Sequence, residues 1–260
     1  MIEMIKSIYT RTWTILKRIP VKLWGLSLLN LLLLSLLPTL GVNMPFVSIP
    51  VTVALEAGMM LIYYKTYSTG DTPDSKPMFT AFKDFKTFKH IAGGMCWMYL
   101  WIFLWALIPV AGAVFAIYKA IQYSFTPYIL MEEPEVGAMD ALKKSMEDTK
   151  GLKLQIFIGS ILPVIAYIVV LAIFAALGLI DGPVGVLFVV LSSILTLIFT
   201  LFAPLFFGLI KAGFYEYGKK PAKKAAQGTV ASHLPPITCG ACGTVNAGEE
   251  KFCSKCGGKL

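Results

Sequence analysis

Charge is scarce in this chain. Asp, Glu, Lys and Arg make up 15% of its 260 residues against 57% hydrophobic ones, too few to cover the surface of an ordinary soluble domain. The mean hydropathy of +0.72 agrees, and the surplus apolar surface calls for lipid. Acidic residues are scarcer still, 15 against 23 Lys and Arg, which leaves a net charge of +8. Such a balance fits nucleic acid or cytoplasmic membrane loops, and the placement of the basic residues decides between them.

Catalytic groupings are lacking too. The loops hold no nucleophile elbow, phosphate loop, HExxH or His and carboxylate cluster, so no enzymatic activity is expected. Asp71 and Asp74 form a DxxD pair, but Gly70-Asp-Thr-Pro-Asp74 reads as a turn. A cleavable leader is not expected either. The first apolar run starts near Leu23, exceeds a signal-peptide core and ends in Leu37-Pro-Thr-Leu-Gly41 rather than a small-x-small site.

What the chain has is long apolar runs, at about 23–40, 46–66, 91–109, 111–130, 154–180 and 184–210, each near or above the ~20 residues a bilayer requires. They predict an all-α polytopic membrane protein with about six transmembrane helices in three hairpins. The turns Gly41-Val-Asn-Met-Pro45, Ile108-Pro-Val-Ala-Gly112 and Ile180-Asp-Gly-Pro183 carry no Lys or Arg. Five basic residues precede the first run, five lie from Lys65 to Lys89, four from Lys143 to Lys153 and seven from Lys219 onward. Only Lys119 and Lys211 fall within or beside spans. The positive-inside rule therefore places both termini in the cytosol of a cell membrane, and topology accounts for the basic balance without nucleic acid.

Residues 2–19 form an amphipathic helix: Ile2, Met4, Ile5, Ile8, Tyr9, Trp13, Ile15, Leu16 and Ile19 occupy one half, and Lys6, Arg11, Lys17 and Arg18 the other. Only Thr12 intrudes on the apolar half. The expected arrangement for residues 1–20 is a basic interfacial helix in the headgroup region, ended by Pro20; the alternative is packing on the protein's own cytosolic face. Residues 77–89 interleave Phe with Lys, and residues 134–148 place Val136, Met139, Leu142 and Met146 at helical spacing. A layout of cytosolic amphipathic helix, span, short outer turn and span, used three times, fits this order.

Charged or polar groups at bilayer depth are costly and hence functional candidates. Glu56 lies about 14 Å at helical rise before Lys65, near mid-membrane in the second span, and Lys119 lies at comparable depth in the fourth. An ion pair between them would neutralise both, and Asn30, Gln122 and Tyr123 would extend the network. The alternatives are that these groups only lock helices together, or that Lys119 snorkels and Glu56 is protonated. Trp97, Trp101 and Trp105 form a stripe read as packing or lipid contact, Pro163 and Pro204 are expected to kink their spans, and Cys96 is read as a buried thiol with no role.

Four of the five cysteines crowd into the last 22 residues as Cys239-Gly-Ala-Cys242-Gly and Cys253-Ser-Lys-Cys256-Gly. Two CxxC knuckles ten residues apart are metal arithmetic. Zinc takes four thiolates in a tetrahedron, and each two-residue gap lets one tight turn present two of them. With no open coordination position the single ion is expected to be structural, and a segment this short is expected to fold only around it. A redox CxxC pair is the alternative, but it usually sits in a larger βαβ domain. Residues 218–237 read as a flexible basic linker to the ribbon at 238–260, with His233 outside both knuckles. The tail, through Lys251-Phe-Cys-Ser-Lys-Cys-Gly257, resembles the zinc-ribbon domains appended to many prokaryotic proteins.

Tyr123-Ser-Phe-Thr-Pro-Tyr-Ile-Leu-Met-Glu-Glu-Pro134, followed by Ala141-Leu-Lys-Lys-Ser145 and Lys150-Gly151, resembles the prokaryotic integral-membrane family called domain of unknown function nine-seven-five. Gly70 with Phe79 to Phe85, and Ile108-Pro109, are similar too, and the likeness covers roughly residues 20–217. Val110 stands where that pattern has Gly, so a departure at this turn is expected. The resemblance implies a polytopic prokaryotic membrane protein and supplies no activity. The expected role is a non-enzymatic scaffold or adaptor whose ribbon meets a cytosolic protein partner; the alternative is a transporter, or its accessory subunit, using Glu56 and Lys119.

Overall fold

The computed structural model of the chain describes residues 2–18, 20–40, 45–230, 237–238, 242 and 245–246. It divides into two compact units, Met1–Glu216 and Tyr217–Leu260. The helices are α1 (Ile2–Arg18), α2 (Pro20–Leu40), α3 (Pro45–Thr69), α4 (Phe85–Ala106), α5 (Gly112–Gln122), α6 (Thr126–Glu132), α7 (Ala138–Asp148), α8 (Lys153–Leu177) and α9 (Pro183–Val230), with a 3₁₀ turn at Lys76–Phe82. Two short strands, β1 (Ile237–Thr238) and β2 (Val245–Asn246), pair antiparallel in the second unit.

Among the described residues, three helices are able by length and composition to cross a membrane: Phe46–Thr69, Lys153–Leu177 and Pro183–Lys219. A fourth is added if α1 and α2, which meet at 99°, count as one broken span. The side chains of α8 and α9 point mostly outward, as Ile165, Ile168, Val186 and Leu197 do, each at least half exposed. That apolar exterior fits membrane insertion. The apolar run expected as the third span is α4, 22 residues long, whose first turns carry Lys86, Lys89 and His90.

α3 is the core helix. Val53, Ala54, Leu55, Met59, Ile62, Tyr63 and Tyr67 are buried along it. Gly58 lets the 3₁₀ turn approach: a Cβ there would lie 2.6 Å from the Met78 carbonyl oxygen, inside any permissible contact. Asp84 starts α4 by accepting from the Thr87 N–H at 2.8 Å, and the backbone and side-chain bonds from Thr87 hold its carboxyl below the usual value.

α1 buries Ile5, Ile8, Thr12 and Ile15, a stripe at spacing 3, 4 and 3, while Ile2 and Trp13 stay exposed. Thr12, the residue out of place on the wheel, is thus part of the packed stripe. Ile8 sits against Gly213 of α9, where a Cβ would come within 2.8 Å of it. Arg11 donates to the carbonyls of Tyr67 and Ser68 at 2.7 and 2.9 Å, capping the C-terminus of α3 with a cation. Tyr9 donates to the Gly159 carbonyl at 2.7 Å. Pro163 lies four residues on in α8 and has no N–H, so that carbonyl lacks its helical donor.

The expected fourth span is broken. Residues 111–130 form α5, only 11 residues long, and then α6, separated at Tyr123–Phe125. Pro127 explains the break: its ring clashes with the carbonyl four residues back, that of Tyr123, and it offers no amide to the helix. The groups freed there are bound by α7. The Ser145 hydroxyl donates to the Gln122 carbonyl at 2.8 Å and accepts the Phe125 N–H at 3.1 Å. The buried face of α7 is therefore Ala141, Leu142 and Ser145, rotated from the expected face so that Met139 is exposed.

Residues 218–230, expected as flexible linker, continue α9 as helix. Ala222, Lys223, Lys224, Ala225, Ala226 and Gln227 are strong helix formers, which outweighs the Pro and Gly in this stretch. The rest of the expected linker, 231–236, lies outside the described residues. Val110, in the turn between α4 and α5, has φ of +66°, the left-handed conformation that Gly adopts without strain. The turn thus keeps the glycine-type backbone although the residue differs.

Candidate functional site

Glu56 faces away from the most buried side of α3 and accepts a hydrogen bond from the Tyr99 hydroxyl of α4 at 2.8 Å. It lines a cavity of about 400 Å³ among α3, α4, α5, α8 and α9. Most of the lining is apolar, including Met60, Met98 and Phe157; the polar members are Glu56, Tyr99, Tyr123, Ser124, Ser160 and Lys211.

Lys211, which in sequence falls within or beside a span, is the cation that shares the cavity with Glu56. Gly208 of α9 lies beside Tyr63 of α3, so Lys211 is level with residues near 66, about ten residues or 15 Å along α3 from Glu56. The cavity therefore runs from a lysine level with the C-terminal part of α3 to a carboxylate near the middle of that helix. The two do not form an ion pair; those among the described residues are Lys143 with Asp140 and Lys144 with Glu133.

Lys119 does not pair with Glu56, contrary to expectation. Its ammonium lies 5.1 Å from the ring centre of Trp105 and 5.7 Å from that of Tyr123. Trp105 is six residues beyond Tyr99 on α4, about 9 Å nearer the turn between α4 and α5, so Lys119 and Glu56 occupy different levels. Stacking on two aromatic faces offsets part of the cost of its charge without a carboxylate.

The other expected members separate. Tyr123 lines the cavity and is buried. Gln122 is buried, but it contributes its backbone carbonyl to Ser145, and its side-chain Oε1 meets no partner among the described residues. Asn30 of α2 likewise has a buried Oδ1 without a partner there and stays out of the cavity. Instead α2 and α3 are tied by Ser27 and Tyr63, whose hydroxyls lie 2.9 Å apart. Sequence reading missed Tyr99, Lys211 and Tyr128. The Tyr128 hydroxyl, fully buried and without a hydrogen-bond partner among the described residues, lies within the electrostatic reach of Tyr63 and Glu56.

Below the cavity, rings of Tyr64, Tyr128 and Tyr215 cluster, Tyr128 stacking on Tyr215 at 4.5 Å between centres and 13° between planes. Tyr215 donates to Glu132 at 2.6 Å, fastening α9 to the end of α6.

In the second unit, β1 and β2 pair Ile237 with Asn246 and Thr238 with Val245. The connection between them holds Cys239 and Cys242. Cys242 is exposed; Cys239, Cys253 and Cys256 lie outside the described residues. A zinc knuckle needs both sulfurs of a CxxC to leave one tight turn, and the β1 and β2 pairing flanks this CxxC in sequence.

No family model matches the chain, and no curated protein and no solved structure matches it.

Proposed function

We propose that this is a multi-pass protein of the cell membrane, with six spans in three hairpins and both termini in the cytosol. It acts as a non-enzymatic scaffold or adaptor whose C-terminal ribbon, folded on one zinc ion, engages a cytosolic protein. α2, α4 and the broken α5 and α6 serve as the spans beyond the three longest apolar helices. The 99° corner between α1 and α2 suits a helix on the cytosolic face followed by one that crosses. The resemblance through Tyr123 to Pro134 and Ala141 to Ser145 supports a prokaryotic membrane protein of this type.

The observation that carries the adaptor reading is the separate compact unit from Tyr217 onward, with a strand pair that flanks one CxxC in sequence. A closed metal site in a separate small unit provides a recognition module rather than chemistry. The test is crosslinking in intact membranes followed by purification of the full chain and of a chain lacking residues 238–260. A specific protein recovered only with the ribbon supports the adaptor; identical crosslinks from both chains contradict it.

The cavity favours a second reading, transport, with Lys211 in the place that Lys119 was expected to fill. A carboxylate and an ammonium at opposite ends of a largely apolar space complement a small polar cargo or a cation and its counter-ion. Flux into vesicles that falls with Glu56→Gln and with Lys211→Met, while Lys119→Met leaves it intact, supports this reading. Flux indifferent to Glu56 removes it.

A further inference from the structure

A groove of about 680 Å³ lies between α1, α8 and α9, and its lining is almost wholly apolar. Pro163, Val170, Leu195 and Phe199 are among its walls, and Trp13 and Lys17 of α1 close one end. Along α9 it extends from Leu195 to Phe207, twelve residues or about 18 Å at helical rise. That length is close to the roughly 15 Å of hydrocarbon in one leaflet, half of a ~30 Å core.

Its position on α9 is the half toward the cytosol. Leu195 lies twelve residues beyond Pro183, where the helix leaves the outer turn, so the groove begins near mid-membrane and ends at the level of α1. At that end the Lys17 ammonium lies 5.5 Å from the ring centre of Trp13 and has no carboxylate partner among the described residues. An unneutralised cation beside an indole, at the mouth of an apolar slot one leaflet deep, has the complementarity of a phospholipid: phosphate at the mouth, chain in the slot.

We propose that this groove binds one anionic phospholipid of the cytosolic leaflet, its acyl chain lying between α8 and α9 and its headgroup phosphate on Lys17. The proposal rests on the membrane reading above, and it is independent of the ribbon and of the Glu56 cavity. Trp13 reports directly on the occupant because its ring is part of the wall.

The test uses the full chain reconstituted in phosphatidylcholine vesicles containing increasing fractions of phosphatidylglycerol or of phosphatidylcholine, brominated on the acyl chains. The Trp13 signal is taken as the difference between the native chain and Trp13→Phe. Brominated phosphatidylglycerol is expected to reach half-quenching of Trp13 at a fraction about fivefold lower than brominated phosphatidylcholine, the ratio that one basic residue confers at an anionic surface. Lys17→Gln is expected to abolish that preference, and Ala166→Phe, which fills the slot, to weaken quenching by both lipids. Equal quenching of Trp13 by the two lipids, or a preference that survives Lys17→Gln, overturns the site. Failure of the membrane reading has another signature: Trp97, Trp101 and Trp105 would then escape quenching in every vesicle.

Discussion

The Tyr9 hydroxyl donates to the Gly159 carbonyl at 2.7 Å, taking the place of the amide that Pro163 cannot supply. One bond thus joins the N-terminal helix to the first third of α8. Tyr9→Phe removes only the donor and leaves that carbonyl without a partner. The expected loss is about 1 kcal/mol, the low end for an unsatisfied carbonyl because the Tyr9 side chain is only part-buried. Unfolding of the purified protein in detergent measures it. Tyr9→Phe combined with Pro163→Ala should recover the loss, since alanine returns the helical N–H.

Ser145 does the same work at the other break. Its hydroxyl binds the Gln122 carbonyl and the Phe125 amide in a fully buried position, so Ser145→Ala leaves the Phe125 amide unpaired and the Gln122 carbonyl with only the 3.4 Å bond from the Thr149 hydroxyl. A cost of about 2–3 kcal/mol is expected, larger than for Tyr9, because a fully buried unsatisfied group costs about 1–3 kcal/mol and the second carbonyl keeps only a long bond. The same unfolding measurement checks it.

Val110 carries a left-handed backbone that disfavours a β-branched side chain by about 1–2 kcal/mol. It is fully exposed, so its side chain holds nothing in place. Val110→Gly is expected to stabilise the protein by about 1 kcal/mol after allowing for the extra freedom of glycine in the unfolded chain. A lower unfolding midpoint for Val110→Gly would show that the turn adopts another conformation.

Much of this arrangement is legible in the sequence. Apolar runs locate the long helices, α3, α8 and α9. Hydropathy, however, does not register a missing amide, and so the run at 111–130 reads as one span although Pro127 divides it. The α7 face was misplaced for a related reason: Ser145 is buried by the backbone groups it satisfies, not by being apolar. For the cavity, residue counting along separate spans gives depth but not facing. Glu56 and Lys119 match in depth by that count, yet Lys119 turns to Trp105 while Tyr99 and Lys211 reach the Glu56 cavity.

The ribbon makes a chemical prediction of its own. Purified under reducing conditions, the full chain is expected to carry one zinc ion, and Cys253→Ser or Cys239→Ser to lose it. Chelation is expected to expose residues 238–260 to protease while the helical circular dichroism stays unchanged, because the metal supplies the folding energy of the tail alone. A chain free of zinc with all four thiols reduced would contradict the assignment.

Topology is the claim on which the rest depends, and accessibility of thiols on intact cells tests it most directly. A membrane-impermeant maleimide added from outside is expected to label chains bearing Asn43→Cys, Ala111→Cys or Asp181→Cys. It should leave the native chain unlabelled until the membrane is opened, because on the proposed topology its five cysteines lie in α4 or in a tail on the cytosolic side. Labelling of the native tail from outside would reverse the orientation, and protection of the cysteine at position 111 would remove the hairpin of α4 with α5 and α6 from the count of six spans.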